Sequence, residues 1–128
     1  MKLDIFAICE GAFNSNSRLT VVNVYDYINV ASFPVKVSLG VAIKITFRPD
    51  EAGDKNILLS IINSEKNQEI AKMEAQTKVP HDKDDVILNL ASNVQGFSFP
   101  EPGKYDFKMY LDGVEIGVTT VHVKLQKL

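Results

Sequence analysis

The chain has no tryptophan, one cysteine and two histidines among its 128 residues. A lone Cys9 cannot close an internal disulfide, which excludes the cystine-stapled secreted scaffold and points to a reducing, cytoplasmic compartment. With only His81 and His122 as imidazole bases, nucleophile–base chemistry has few routes. A G-x-S-x-G elbow, a glycine-rich phosphate loop and an Asn-x-Ser/Thr acceptor are all missing. Apolar runs are short. The stretch Ile5 to Cys9 is approached by Asp4, ended by Glu10 and preceded only by Lys2, so it lacks the form of a signal peptide. No stretch nears the roughly 18 apolar residues of a membrane span. Nor is there a basic excess: 14 Lys+Arg against 16 Asp+Glu leave a net charge of −2, which argues against a nucleic-acid or anionic-membrane binder.

What is present describes a folded protein. A hydrophobic fraction of 45% with 23% charged residues is that of an ordinary globular domain, and the length predicts one domain over residues 1–128. Surface scaling puts its folded area at roughly 6,800 Å², with about two thirds of the unfolded surface buried, so no metal or disulfide is needed to hold it.

The clearest periodicity is Val37, Leu39, Val41, Ile43, Ile45 and Phe47, apolar at every second position, which predicts a long strand with one buried face. Pro49 and the charged turn Asp50, Glu51, Gly53 and Asp54 end it before Ile57–Ile62 starts another. Upstream, Leu3–Cys9 reads as a strand, Gly11–Ser17 as a polar loop and Leu19–Val30 as β-branched and aromatic. Ser64–Lys78 is rich in helix formers. A helix there has only Ile70 and Met73 to anchor it, however, whereas a hairpin turning at Glu65–Asn67 pairs Glu69–Thr77 with Ile57–Ile62, and the strand is favoured. Pro80–Asp85 is a polar connection and Val86–Leu90 a further strand. Tyr105, Phe107, Met109 and Leu111 alternate with polar residues up to Asp112–Gly113, a dipeptide that supplies the positive φ angles of a two-residue hairpin turn. In the final strand the apolar phase switches across Thr119–Thr120, from Val114, Ile116 and Val118 to Val121, Val123 and Leu125, which implies a β-bulge or a crossing between sheets.

Seven to eight short strands with little helix predict an antiparallel sandwich. The segment Phe97 to Gly113 resembles the last hairpin of immunoglobulin-like sandwiches, with a rigid corner at Pro102 and Gly103 leading to Tyr105 at the position of a tyrosine corner. The paired cysteines and core tryptophan of antibody domains are missing, so the resemblance is to the wider immunoglobulin-like architecture. Three further segments, L-D-I-F-A-I-C-E from Leu3, L-T-V-V-N-V-Y-D-Y-I-N-V from Leu19 with the following Phe33-Pro34, and F-P-E-P-G-K-Y from Phe99, make the chain similar to an uncharacterised family of small bacterial proteins. That resemblance implies a fold and a bacterial cytoplasmic setting but no activity.

Each cluster with potential chemistry has a plainer reading. His81, Asp82, Asp84 and Asp85 offer an imidazole and three carboxylates to a divalent cation, yet no glycine lets them converge and Lys83 sits in their midst, so a solvated turn is the better account. Asp50, Glu51 and Asp54 share one turn instead of flanking a cleft as glycosidase carboxylates do. His122 falls on the polar phase of its strand, and Cys9, in an apolar strand, reads as an inert buried thiol. Tyr25, Tyr27 and Phe33 lie close in sequence, with Tyr25 and Tyr27 on one predicted strand face, while Phe13, Phe97 and Tyr110 fall in loops or on polar phases. Core packing is the first reading of the aromatics, and self-association or a partner-binding patch at Tyr25, Tyr27 and Phe33 the next. With no catalytic set, no enzyme and no cofactor are expected. The favoured reading is a protein-interaction or self-assembling module acting through an edge strand or loop end. A small-ligand module that stacks carbohydrate on these aromatics is the alternative, and a metal-dependent enzyme the remote one.

Overall fold

Strand β4 (Val35–Phe47) forms where the alternation predicts it, and the fold is built outward from it. The computed structural model describes residues 1–126; of the domain expected over 1–128, residues 127 and 128 lie outside the described residues. Nine strands are present among those described: β1 (Lys2–Ser15), β2 (Arg18–Val24), β3 (Tyr27–Val30), β4, β5 (Gly53–Asn63), β6 (Gln68–Val79), β7 (Val86–Phe99), β8 (Gly103–Leu111) and β9 (Val114–Leu125). One 3-10 turn, Pro49–Glu51, links β4 to β5. No helix among the described residues is long and apolar enough to cross a membrane. The count exceeds the expected seven to eight because two stretches behave differently from their local sequence. Gly11–Ser17 is not a loop: β1 continues to Ser15 and turns at Asn16–Ser17, both at positive φ, into β2. Leu19–Val30 is split between two sheets. The amide of Tyr25 donates to Ile8 O at 2.8 Å and that of His122 to Asp26 O at 3.0 Å, so the chain leaves β1 and joins β9 within one residue.

The first sheet runs β2-β1-β4-β7 and the second β3-β9-β8-β5-β6, all antiparallel except the parallel pair β3–β9. In the letter scheme of immunoglobulin sandwiches, β4, β5, β7, β8 and β9 hold the B, C, E, F and G positions, and the fold is an all-β, immunoglobulin-like sandwich. Facing rows from both sheets meet in one core, in which Leu39, Ile45, Phe47, Ile61, Phe99, Tyr105, Phe107 and Met109 are all inaccessible to solvent. The Ser64–Asn67 turn and the β5–β6 pairing bear out the strand reading of the helix-prone segment: Leu59 faces Met73 and Lys55 faces Thr77. Pairing with β5 overrides the propensity.

Local corners are as the sequence implies. Tyr105 is buried beneath Pro102–Gly103 and its hydroxyl donates to Glu101 O at 2.6 Å, a tyrosine corner. Burial pushes its phenol pKa up. Asp112 and Gly113 both take positive φ (48° and 84°) in the β8–β9 hairpin, and Asp112 Oδ1 accepts from the Asn56 amide at 2.8 Å. The slip in β9 is a bulge, but it sits at Ile116: Met109 faces Gly117 while Tyr110 faces Glu115. Gly117 then turns toward β1, where a Cβ would come within 2.5 Å of Leu3 Cδ2. Val118 stays 55% exposed on the outer face, so its apolar character marks no change of sheet at Thr119–Thr120.

A third layer lies outside the first sheet. The far half of the β1–β2 hairpin folds over the outer face of β4 and β7, and it comes so close that a Cβ on Gly40 would stand 2.9 Å from Gly11 Cα. A small apolar cluster of Cys9, Ala12 and Ala42 fills the contact. Burial raises the Cys9 thiol pKa. Side-chain amides pin the layer. Asn93 accepts from the Ala12 amide at 2.9 Å and donates to Ala12 O at 2.7 Å, while Asn89 donates to Ser17 O at 3.0 Å and Asn14 to Asn89 O at 2.9 Å. Asn89 Oδ1 is buried with no donor among the described residues, and that desolvation offsets the one bond its amide group makes. The accessible surface, 7544 Å², is about a tenth above the roughly 6,800 Å² expected for the mass. A folded-back hairpin and an incompletely covered flank are both ways to add surface.

Two expectations follow. Tyr105→Phe should lower unfolding free energy by about 1–3 kcal/mol, because the part-buried Glu101 carbonyl loses its donor; urea melts will read this. Asn93→Ala should cost about 1–3 kcal/mol through its two bonds and speed native-state labelling of Cys9 by a thiol reagent, whereas Asn89→Ala should stay within about 1 kcal/mol of the parent. Equal effects from the two would remove the account of the orphaned oxygen.

Candidate functional site

Along one flank, between β6 and β7, the two sheets leave an opening. There β7 ends the first sheet and β6 ends the second, and neither has a strand on its outer edge among the described residues. In constant-type immunoglobulin sandwiches a D strand lies beyond the E strand; here the E-position strand, β7, is itself the edge. The inward row of β7, set by its pairing with the core row of β4, is Leu88, Leu90, Ser92 and Val94. The inward row of β6 includes Ala71, Met73 and Ala75. Ser92 and Ala75 are small, and between them a cleft of about 310 Å³ opens onto Val41, Ile43, Ile57 and Leu59. These four floor residues belong to the main core. The site is a slot into the interior, not a depression on a face.

The two rims differ in charge. β6 carries Glu69, Lys72, Glu74 and Lys78, the usual guard of an edge strand against unwanted pairing. β7, 14 residues long, carries no charged residue and no proline. Its ladder to β4 is regular from Val86 to Val94 and then broken, since Leu39 pairs Val94 but Val37 pairs Phe97, with Gly96 at φ 69°. Beyond Val94 the strand is bent, and up to Val94 it is a straight, neutral, unpaired edge beside an apolar slot.

The aromatics favoured by the sequence are not assembled into one surface. Tyr25 is half-buried before β3 begins, its hydroxyl donating to Ser38 O at 2.9 Å; burial first and the nearby Glu10 second raise its pKa. Tyr27 is 55% exposed on β3, stacked on His122 at 5.1 Å with Lys124 Nζ 4.5 Å from its ring centre. Phe33 packs against the main core. Tyr25 and Tyr27 do not share a strand face, because the sheet crossing falls between them. A groove of about 510 Å³ gathers Glu10, Phe13, Val22, Tyr25 and Ser38, but Glu10 already accepts from Asn23 and Tyr25 already donates to Ser38, so its polar groups are committed. Phe13 is on β1, not in a loop, and Phe97 is on β7, edge-to-face with Phe99 at 5.0 Å. His81, Asp82, Asp84 and Asp85 are exposed, and no cluster of three potential metal ligands exists among the described residues. Asp50 pairs with Arg48, which lowers its pKa. Pro102 precedes β8, which opens with Gly103 and Tyr105, and Asp112–Gly113 join β8 to β9.

Sequence reasoning missed Leu90, Ser92, Met73 and Ala75. One signal was available: the uncharged stretch from Val86 to Phe99 lies between Asp85 and Glu101. If the slot is unfilled space, Ala75→Leu should fill it and raise stability by about 1–2 kcal/mol, from two or three newly buried carbons at about 0.8 kcal/mol each; thermal and urea melts will show a gain, and a loss would mean the flank is already closed.

Comparison with known proteins gives a family without an activity. No curated protein matches the chain. A solved immunoglobulin-like protein from Pseudomonas aeruginosa is similar to it over 95% of this chain and 94% of that one, at 12% identity and a TM-score of 0.44. A family model matches residues 4–124. The chain belongs to DUF6941, a family of unknown function.

Proposed function

We propose that this protein is a non-catalytic interaction module that accepts an extended, uncharged polypeptide strand along β7, with an inward-facing apolar side chain of that strand lodged in the slot between β6 and β7. The observation that carries the reading is the conjunction of a long neutral edge with an opening into the core. An edge alone supplies main-chain hydrogen bonds, and alternate side-chain pockets supply selectivity; β-strand addition uses both. Natural sandwiches guard such edges with charge or proline, and β6 does so while β7 does not. Leaving Ser92 and Ala75 small forgoes burial that a larger residue would contribute, a pattern expected where a partner completes the core. The buried free thiol of Cys9 is in keeping with a reducing, cytoplasmic setting.

The test is an array of nonapeptides probed with the wild-type protein, Ser92→Lys and Ala75→Leu. Wild type is expected to retain peptides that alternate large apolar residues and lack charge. Ser92→Lys, whose ammonium points into the slot mouth, and the stabilised Ala75→Leu, whose side chain fills it, are expected to lose them. Peptides retained equally by all three proteins would place binding elsewhere and remove this reading.

A further inference from the structure

Resting on that reading, we infer that the strand accepted by β7 is β7 of a second copy of this chain, paired antiparallel about a two-fold axis through Ala91. A strand that meets its own copy must be compatible with its reverse, and the regular part of β7 is. Read outward from Ala91, the neighbours are Leu90 and Ser92, then Asn89 and Asn93, then Leu88 and Val94. Under the two-fold, Leu88 faces the second copy's Val94 on the inward side, Asn89 faces its Asn93 on the outward side, and Leu90 faces its Ser92. Leu88 and Val94 differ by one carbon; Leu90 and Ser92 differ strongly, and in the useful sense. Leu90 arrives where Ser92 leaves space at the slot, so each copy fills the other's opening, and the isologous geometry does this twice.

Charge supports the same occupant. A foreign strand is selected against competitors by charge complementarity as well as by fit, and β7 offers none between Val86 and Phe99. In the two-fold pair this neutrality means that no like charges are set opposite each other. The alternative self-pairing, through β6, has no such freedom, because Glu69, Lys72, Glu74 and Lys78 stand along that edge. The break at Gln95–Gly96 ends the straight ladder one residue past Val94, which matches the reach of the palindromic segment. Pairing exchanges the exposed Asn14 amide now on the Asn89 carbonyl for a main-chain N–H of the second copy.

Light scattering across a dilution series, with an Ala91→Cys variant treated with a short thiol-to-thiol cross-linker, tests this. Wild type is expected at twice 14.2 kDa when concentrated, and Ala91→Cys is expected to give a covalent dimer with that reagent, because residues directly opposite across antiparallel strands have Cβ atoms about 4.5–5.5 Å apart, slightly beyond the reach of a direct disulfide. Ser92→Lys should weaken association by roughly tenfold or more, since an inward charge would face Leu90 of the second copy. Val118→Lys, on the exposed face of the other sheet, should not, and its folded state serves as the control for an added lysine. A wild-type monomer at every concentration overturns the second-copy inference, and retention of peptides in the array then leaves a foreign strand as the occupant. A dimer that withstands Ser92→Lys, or that Ala91→Cys does not cross-link, also overturns it by locating the interface elsewhere. A monomer that retains no peptide removes both readings.

Discussion

Strand β4 has to bury both of its faces, and most of the architecture answers that requirement. Its odd-numbered row, Leu39 to Phe47, meets the second sheet and makes the main core. The middle of its even-numbered row, Gly40 and Ala42, would be left against water were it not for the hairpin laid across it, and that covering is possible only because these two residues present almost no side chain there. Close backbone approach creates a second demand, since polar groups of the hairpin that face the sheet lose water. Asn93 meets it with both ends of one amide. Glycine for proximity and asparagine for satisfaction are thus two parts of one solution, and they lie on different strands, 53 residues apart in the chain.

The two flanks of the sandwich show opposite treatment of the same physical problem. On one side the chain passes from sheet to sheet between Tyr25 and Asp26, and β3 pairs with β9, so the sheets are stitched by covalent chain and hydrogen bonds together. On the other, small residues stand where large ones would have sealed the core. The tyrosine corner and the aromatic pair Phe99–Tyr105, at 4.8 Å, hold the core near the end of β7, so the opening at Ser92 is confined to the middle of the strand and does not spread along it. Rigidity at Tyr105 and openness at Ser92 are compatible because they lie on different strands in different sheets, Tyr105 on β8 beside the end of β7 and Ser92 in the middle of β7.

How much of this was legible depended on the range of the interaction. The alternation of β4, the turn at Asp112–Gly113 and the corner at Tyr105 rest on neighbours in sequence, and they read correctly. The β6 hairpin read correctly because so few apolar residues were available to anchor a helix. Gly11–Ser17 read as a loop because its polar residues look solvated, whereas Asn14 and the backbone of Ala12 are satisfied by Asn89 and Asn93, distant in sequence. The crossing at Tyr25–Asp26 carries no proline or glycine to mark it. The open flank was illegible for a different reason: it consists of residues with nothing opposite them, and a single chain records which residues are small without recording which strands end at an edge. The guard charges on β6 and their lack on β7 are visible in sequence, but they acquire meaning only once both strands are known to be edges.

The parallel pair β3–β9 joins residues near position 28 to residues near position 123, and this bears on the order in which the protein is made. A ribosome delivers β3 roughly 95 residues before its partner, so the segment Tyr27–Val30 must wait, unpaired, while five strands emerge after it. Ile28, among the buried core residues, is held out of the core for that interval. The first sheet can assemble as soon as β7 appears, but the second stays unfinished at one border until β9 follows. Long-range closure of this kind is slow relative to local hairpins, and the last ladder to form in a newborn chain is the one that locks its earliest crossing in place.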